Sequence, residues 1–144
     1  MQLRNLLYLI ENSDLEQCIK DKSCGTNTLT ITEDQYCHHI NNPYWTHIIV
    51  GDNVCNDVQT LSIETLFNVQ SIEIGSNSFN SVQSLSITNN TKLTSFVVGD
   101  NSFNSAKSLM ISRNSKLQQV TVGSSSFQVA VNVLVKGMLY LICE

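Results

Sequence analysis

Apolar and polar residues alternate over short stretches of this chain, and the alternation returns at a fixed interval. Ile72 and Ile74 are apolar with the polar Glu73 between them, which predicts a short strand with one buried face. The same spelling occurs four times at even spacing, each time ending in a glycine: Gly51, Gly75, Gly99 and Gly123. Such internal repetition is typical of a solenoid, in which each repeat forms one coil.

Stacking the four copies by this 24-residue period gives columns of equivalent residues. The copy at residues 93–103, LTSFVVGDNSF, has the pattern LxxIxIGxNxF. We predict that the glycine permits a bend and that the asparagine turns its amide inward to satisfy free peptide groups. The aromatic residue should fill the interior of the coil. These structural columns are Asn53, Asn77 and Asn101, and Phe79, Phe103 and Phe127.

A second strand-like pattern lies in each period. Leu85 and Ile87 alternate with polar residues, Asn90 follows them, and the pattern returns one period later at Leu109 and Ile111. Its β-branched, serine and asparagine content favours a strand over a helix. The predicted fold class is therefore mostly β, a solenoid of 24-residue coils with two short strands in each coil.

These patterns resemble the leucine-rich repeat, whose signature LxxLxLxxNxL is matched in four consecutive copies from Trp45 onwards. Because each coil has two strands, the BspA-like or protist-type 24-residue repeat is the nearest resemblance. The resemblance implies a non-enzymatic scaffold that mediates protein–protein interaction, with no cofactor. As an alternative, it also implies a surface adhesin or glycan-binding repeat protein. The pattern at the C-terminus leaves open a truncated fragment of a longer repeat protein.

The first part of the chain departs from the repeat. Apolar residues at 3–19 have helical spacing and predict a small helical cap. A strand around Leu29 is spelled like the strand around Leu61, which is farther along than one 24-residue period, and this predicts an insertion of about eight residues. We therefore assign residues 1–44 to a helical cap, first strand and insertion loop, and residues 45–144 to four coils, the last degenerate or truncated.

The predicted insertion contains the chain's densest group of reactive side chains. Cys37, His38 and His39 are residue types that bind zinc, but adjacent residues do not have the spacing of common structural zinc sites. We expect an ordinary surface loop and no metal. Tyr44 is a candidate contact residue, whereas Trp45 takes the first leucine position of its repeat and should be buried.

Composition and charge exclude several classes of function. The chain has 16 Asn and 18 Ser but 2 Ala, which suits strands joined by polar turns. Its net charge of -4 is scattered, so we expect no nucleic-acid partner. No base, nucleophile and orienting group occur together, so we expect no enzyme.

Cysteine usage and the apolar segments bear on location. The five cysteines include no CxxC pair, and Cys55 lies in the aromatic column, where we expect it to pack in the core. The apolar run near the N-terminus is too short for a secretory segment, and no run is long enough for membrane insertion. These features predict a cytoplasmic protein.

The outward side chains of the first strand in each coil form the candidate binding site, which we term the ladder face. They are small, polar and mostly uncharged, and solenoids use such ladders as extended platforms for other proteins. The ladder face comprises Thr46, His47, Gln70, Ser71, Glu73, Thr94, Ser95, Val97, Gln118, Gln119 and Thr121.

The C-terminal coil, residues 129–143, becomes apolar where earlier coils are polar. Glu144 is equivalent by period to Val120, midway through a coil, and no polar cap is spelled after it. Open strand edges and bare apolar ends pair with other chains. We therefore expect end-to-end self-association, which charges at Leu134 and Leu139 should abolish.

Overall fold

The computed structural model describes residues 27–137 and 140–143, and the predicted helical cap at residues 3–19 lies outside them. The described chain contains ten strands and one 3₁₀ helix, Asp34–Asn41. The strands are β1 Thr28–Ile31, β2 His47–Val50, β3 Thr60–Glu64, β4 Ser71–Ile74, β5 Ser84–Thr88, β6 Ser95–Val98, β7 Ser108–Ser112, β8 Gln119–Val122, β9 Asn132–Val135 and β10 Tyr140–Cys143.

The strands form two parallel sheets. The first sheet has the order β1-β2-β4-β6-β8-β10, and the second has the order β3-β5-β7-β9. In the central coils Ile72 lies beside Phe96 and Leu85 lies beside Leu109, so neighbouring strands are offset by one 24-residue period. The predicted mostly β solenoid with two strands in each coil is confirmed.

The core lies between the two sheets. In β4 the burial alternates as predicted, with Ile72 and Ile74 buried and Glu73 exposed. From the opposite sheet, Leu85 and Ile87 of β5 are buried against them. No coil is thick enough to bury these side chains alone, so each coil depends on its neighbours for a continuous core.

The predicted aromatic column is confirmed as a stack within the coils. The ring centroids of Phe79 and Phe103 are 5.2 Å apart, and those of Phe103 and Phe127 are 4.9 Å apart. Phe79 and Phe103 are fully buried although both have a φ of 57°. This left-handed conformation costs a bulky residue about 1–3 kcal/mol, which burial of the ring offsets by a similar amount of about 1.5–3 kcal/mol.

The predicted inward orientation of the asparagine column is wrong. Asn53, Asn77 and Asn101 are exposed, with φ values of 59°, 57° and 56°. Asparagine suits this position because its short polar side chain tolerates the left-handed conformation. These residues contribute to coil stacking through the backbone: the N–H of Asn77 donates to the carbonyl oxygen of Asp100 at 2.9 Å.

Two other columns turn inward and link the coils. The Ser102 hydroxyl donates to the Gly75 carbonyl at 2.8 Å and accepts from the Ser78 N–H at 3.1 Å. After the second sheet, Asn114 Oδ1 accepts from the Asn90 N–H at 2.9 Å. These side chains satisfy backbone groups that the corners of each coil would otherwise bury unpaired.

The recurring glycines are required because neighbouring coils leave no room for a side chain at these positions. A Cβ atom on Gly75 would lie 2.5 Å from the carbonyl oxygen of Gly51 in the preceding coil. The backbone of Gly75 does not have a positive φ, so close approach of the coils, and not the expected bend, requires glycine here.

The first described coil corrects the predicted insertion. β1 pairs with β2 in the first sheet, where Leu29 lies beside Ile48. The step between these two residues is shorter than the 24-residue repeat, so the expected eight-residue insertion is wrong. The 3₁₀ helix Asp34–Asn41 takes the place that a second strand has in later coils and contacts β3.

The last coil is short as well. Leu141 lies beside Val120, a step shorter than one full repeat, so the expected equivalence of Glu144 with Val120 is wrong. β9 and β10 are the last strands of their sheets, and Val133 on β9 is 57% exposed. The inward apolar column therefore continues to Val133, and no further described strand pairs with β9 on its other side.

The inward asparagine ladder gives a test of the register. Asn114→Ala removes the amide that donates to the Ile87 carbonyl at 2.9 Å and accepts from Asn90. Because buried backbone groups lose their partners, we expect the free energy of unfolding to fall by about 2–3 kcal/mol. Urea denaturation measures it. The matched control, Asn101→Gly, keeps the positive φ at an exposed turn and should change stability by less than about 0.5 kcal/mol. Equal losses in the two variants would contradict this register.

Candidate functional site

The ladder face is assembled from the first strand of four successive coils. In the pairing register His47, Ser71, Ser95 and Gln119 lie side by side, and Glu73, Val97 and Thr121 form the next column. The remaining predicted residues precede the strands and continue the ladder through backbone hydrogen bonds: Thr46, Gln70, Thr94 and Gln118. The structure thus brings together all residues that the sequence assigned to this face.

The ladder face is wider than the sequence predicted. β1 adds Thr28 beside His47 and Thr30 beside Ile49. At the other end, β10 adds Ile142, which is 42% exposed. In β1, threonines alternate with apolar residues, and this pattern predicts a strand with a polar outer face. The sequence of β1 nevertheless resembles that of β3, which led to its assignment to the second sheet.

Hydrogen bonds within the ladder face hold several of its side chains. His47 Nδ1 and the Ser71 hydroxyl are 2.7 Å apart. The Thr94 hydroxyl donates to the Gln70 carbonyl oxygen at 2.9 Å. Ordered hydroxyl and amide groups can donate to and accept from an extended peptide or another polar ligand.

The His47–Ser71 pair has one element of a nucleophilic site. A hydroxyl activated by imidazole also needs a third group that orients the base and donors that stabilise the developing charge. Within residues 27–137 and 140–143, no acidic side chain is hydrogen-bonded to His47. We therefore treat the pair as part of the candidate binding surface.

The segment predicted as an insertion contains a disulfide that the sequence did not predict. Cys37 in the 3₁₀ helix is bonded to Cys55, with 5.8 Å between their Cα atoms. Cys55 is fully buried as expected, but it is a covalent link and not only a packing residue. The sequence offered one indication: Cys55 occupies an inward column, and Cys37 lies in the segment just before that coil.

Two hydrogen bonds fix the same helix. Asp34 Oδ1 accepts from the backbone N–H of Cys55 at 2.7 Å. At the other end of the helix, Trp45 Nε1 donates to the His39 carbonyl oxygen at 2.9 Å. Trp45 is buried as predicted and Tyr44 is exposed. The helix is thus anchored to the first and second coils at both of its ends.

The histidines of this helix lie together. The ring centroids of His38 and His39 are 3.9 Å apart. Burial, and then the charge of His38, lower the pKa of His39, so the neutral imidazole is favoured. Among the residues that the structure describes, no group of three or more His, Cys, Asp or Glu is placed to hold a metal ion.

The second sheet carries shallow depressions of its own. One has a volume of about 380 Å³ and is lined by residues of β5, β7 and β9, including Met110 and Leu134. Another, of about 500 Å³, extends to Glu64, Arg113 and Lys136. Serine is the commonest outward residue of this sheet, so the sequence predicted no function for this surface.

The fold defines the class of this protein as a β-solenoid of stacked repeats with two parallel sheets. Comparison with models of protein families, with curated proteins and with solved structures gives no match. In the described ranges, no helix has the length and apolar character to cross a membrane.

The disulfide generates a test. A cross-link that closes an 18-residue interval should stabilise the fold by about 3 kcal/mol. We expect dithiothreitol, or the double change Cys37→Ala/Cys55→Ala, to lower the free energy of unfolding by that amount in urea denaturation. The control, Cys143→Ser, alters an exposed free cysteine and should have no effect. An unchanged unfolding midpoint in the reduced protein would contradict a stabilising disulfide.

Proposed function

We propose that this protein is a non-enzymatic scaffold that binds another protein through the ladder face. The observation that carries the proposal is the register of the first sheet, which sets the predicted residues side by side on one six-stranded surface. The resemblance to leucine-rich repeats of the BspA-like or protist type supports the same use. Cofactor and nucleic-acid binding form no part of the proposal.

The dimensions of the ladder face limit its affinity. Six strands at a spacing of about 4.8 Å give a length of about 24 Å, and four residues along a strand give about 13 Å. The resulting area is on the order of 300 Å², below the roughly 800 Å² that each partner buries in a standard interface. This area leaves out the column of the ladder face that precedes the strands. We therefore expect a weak interaction, or a partner that also contacts this column at Gln70, Thr94 and Gln118.

That column supplies the experiment. The triple variant Gln70→Lys, Thr94→Lys and Gln118→Lys places three positive charges in one column of the ladder face. We expect recovery of the partner by affinity purification from the native cell, followed by mass spectrometry, to fall at least about tenfold.

The matched control carries the same charge elsewhere: Gln59→Lys, Gln83→Lys and Gln128→Lys, all at exposed positions outside the first sheet. This control should recover the partner as the unmodified protein does. Equal recovery with both triple variants would remove the ladder face as the binding site.

A surface adhesin or glycan-binding repeat protein is the second candidate, and the Cys37–Cys55 disulfide favours it. Disulfides persist in oxidising compartments and are rare in the cytosol. The cytoplasmic location expected from the sequence stays a prediction. Fractionation of native cells, with alkylation of free thiols before and after reduction, distinguishes the two: an extracellular protein with Cys37 and Cys55 bonded supports the adhesin.

We also propose that the protein self-associates end to end through its C-terminal coil, residues 129–143. Val131 is 78% exposed and Val133 is 57% exposed. Among the strands that the structure describes, β9 and β10 each have a paired neighbour on one side only. An apolar end beside unpaired strand edges favours contact with another chain.

Charges at this end test the self-association. Of the two positions expected from the sequence, Leu139 lies outside the described residues and Leu134 lies beside Met110 on the outer surface of the second sheet, so the test uses Val131 and Val133. In Val131→Glu/Val133→Glu the carboxylates would have to be buried in the contact, so we expect sedimentation velocity to show that the end-to-end chains formed by the unmodified protein, of three or more copies, are lost. The control, Phe67→Glu, replaces another half-exposed apolar residue away from this end. Species of three or more copies that persist in the double variant would rule out this contact.

A further inference from the structure

The outer surface of the second sheet changes in side-chain size and in charge from the first coil to the last. We term it the second-sheet face. Its outward residues form three columns that follow the pairing of β3, β5, β7 and β9. The columns are Thr60, Ser84, Ser108 and Asn132; Ser62, Ser86, Met110 and Leu134; and Glu64, Thr88, Ser112 and Lys136.

Side-chain size changes along the middle column. Its first two members, Ser62 and Ser86, are small, whereas Met110 is 44% exposed and Leu134 is 41% exposed. Two large apolar side chains thus form a ridge over the last coils, beside a lower surface over the first coils. The depressions on this face, of about 380 Å³ and 500 Å³, both adjoin the ridge.

Charge changes sign along the third column. Glu64 lies at its first position and Lys136 at its last, where the Lys136 N–H continues the ladder by donating to the Ile111 carbonyl at 2.8 Å. The same trend holds for the described chain as a whole. The acidic residues there are Glu33, Asp34, Asp52, Asp57, Glu64, Glu73 and Asp100. The basic residues there are Lys92, Lys107, Arg113, Lys116 and Lys136.

We propose that the second-sheet face binds a second copy of this chain, face to face, about a two-fold axis parallel to the strands. This rotation reverses the order of the coils and keeps each column opposite itself. Glu64 then faces Lys136 of the other copy twice, and the Met110–Leu134 ridge lies over Ser86 and Ser62. One surface is therefore complementary to itself in both size and charge, as an isologous contact requires.

Internal hydrogen bonds prepare this face for contact. The Ser86 hydroxyl donates to Glu64 Oε1 at 3.1 Å, and the Ser84 and Ser108 hydroxyls are 2.9 Å apart. These groups keep partners when water is excluded, so the contact leaves few of them unsatisfied. The second carboxylate oxygen of Glu64 stays available to a lysine.

The contact should be weak and sensitive to salt. Four strands span about 14 Å and their four to five residues about 15 Å, so the face covers on the order of 200 Å². This is far below the roughly 800 Å² that each partner buries in a standard interface, so we expect a transient dimer. Its ion pairs are exposed at the edge, so added salt should weaken it. Because the contact lies on the opposite sheet, it leaves the ladder face free and stands independently of the function proposed for that face.

Charge exchange tests the proposal by sedimentation equilibrium at low salt over a concentration series. Glu64→Lys and Lys136→Glu each place like charges opposite one another twice, so each variant should dimerise at least about tenfold more weakly than the unmodified protein. The double variant Glu64→Lys/Lys136→Glu restores opposite charges and should recover dimerisation. An equimolar mixture of the two single variants should form a heterodimer of unmodified strength.

Control variants distinguish this contact from others. Glu73→Lys and Lys92→Glu make the same charge changes at exposed positions off the second-sheet face and should leave dimerisation within about twofold. Val131→Glu/Val133→Glu removes the C-terminal end contact and should leave a dimer that still responds to Glu64 and Lys136. A monomer at every concentration, no recovery in the double variant and the mixture, or an equal loss in the controls would each overturn the proposal.

Discussion

The structure depends on hydrogen bonding between equivalent residues of successive coils. Ser102 accepts from the backbone of the preceding coil and donates to its Gly75 carbonyl, while Asn114 makes the corresponding bonds behind the second sheet. A coil on its own would leave these corner peptide groups unpaired. It would also leave its apolar side chains exposed to water on the sides where neighbouring coils pack. Stacking in register satisfies both requirements together, which is why the period of the sequence is kept so closely in the central coils.

The repeating part of the fold could be read from the sequence because the inward residues of each strand are marked by alternation. Ile72 and Ile74 identify β4 by their alternation alone, and the 24-residue period then places Phe103 in one column with Phe79 and Phe127. The orientation of the asparagines could not be read in this way. Asn77 and Asn90 both follow a strand, but Asn77 has a left-handed turn conformation and Asn90 is buried. Backbone conformation, which a residue type only biases, decides between them.

The two short coils were harder to predict because the repeat fails there and pairing is decided in three dimensions. Leu29 is spelled like Leu61, yet β1 pairs with β2 in the other sheet. Prediction of the disulfide required knowledge of that same pairing. Cys37 lies close to Cys55 because the 3₁₀ helix occupies the position that a second strand has in later coils. For the candidate site, the four central coils of the ladder face followed from the period, whereas its extension by β1 and β10 did not.

The Cys37–Cys55 disulfide also gives the stack a preferred direction of unfolding. In a solenoid each coil is held by its neighbours, and separation begins where a coil has a neighbour on one side only. The covalent bond ties the 3₁₀ helix to the second coil near one end of the described chain. Within the described residues, the contacts that hold β9 and β10 at the other end are noncovalent. Under mechanical tension, the coils should therefore peel away one at a time from the side of β10, and the clamped coils should be the last to yield.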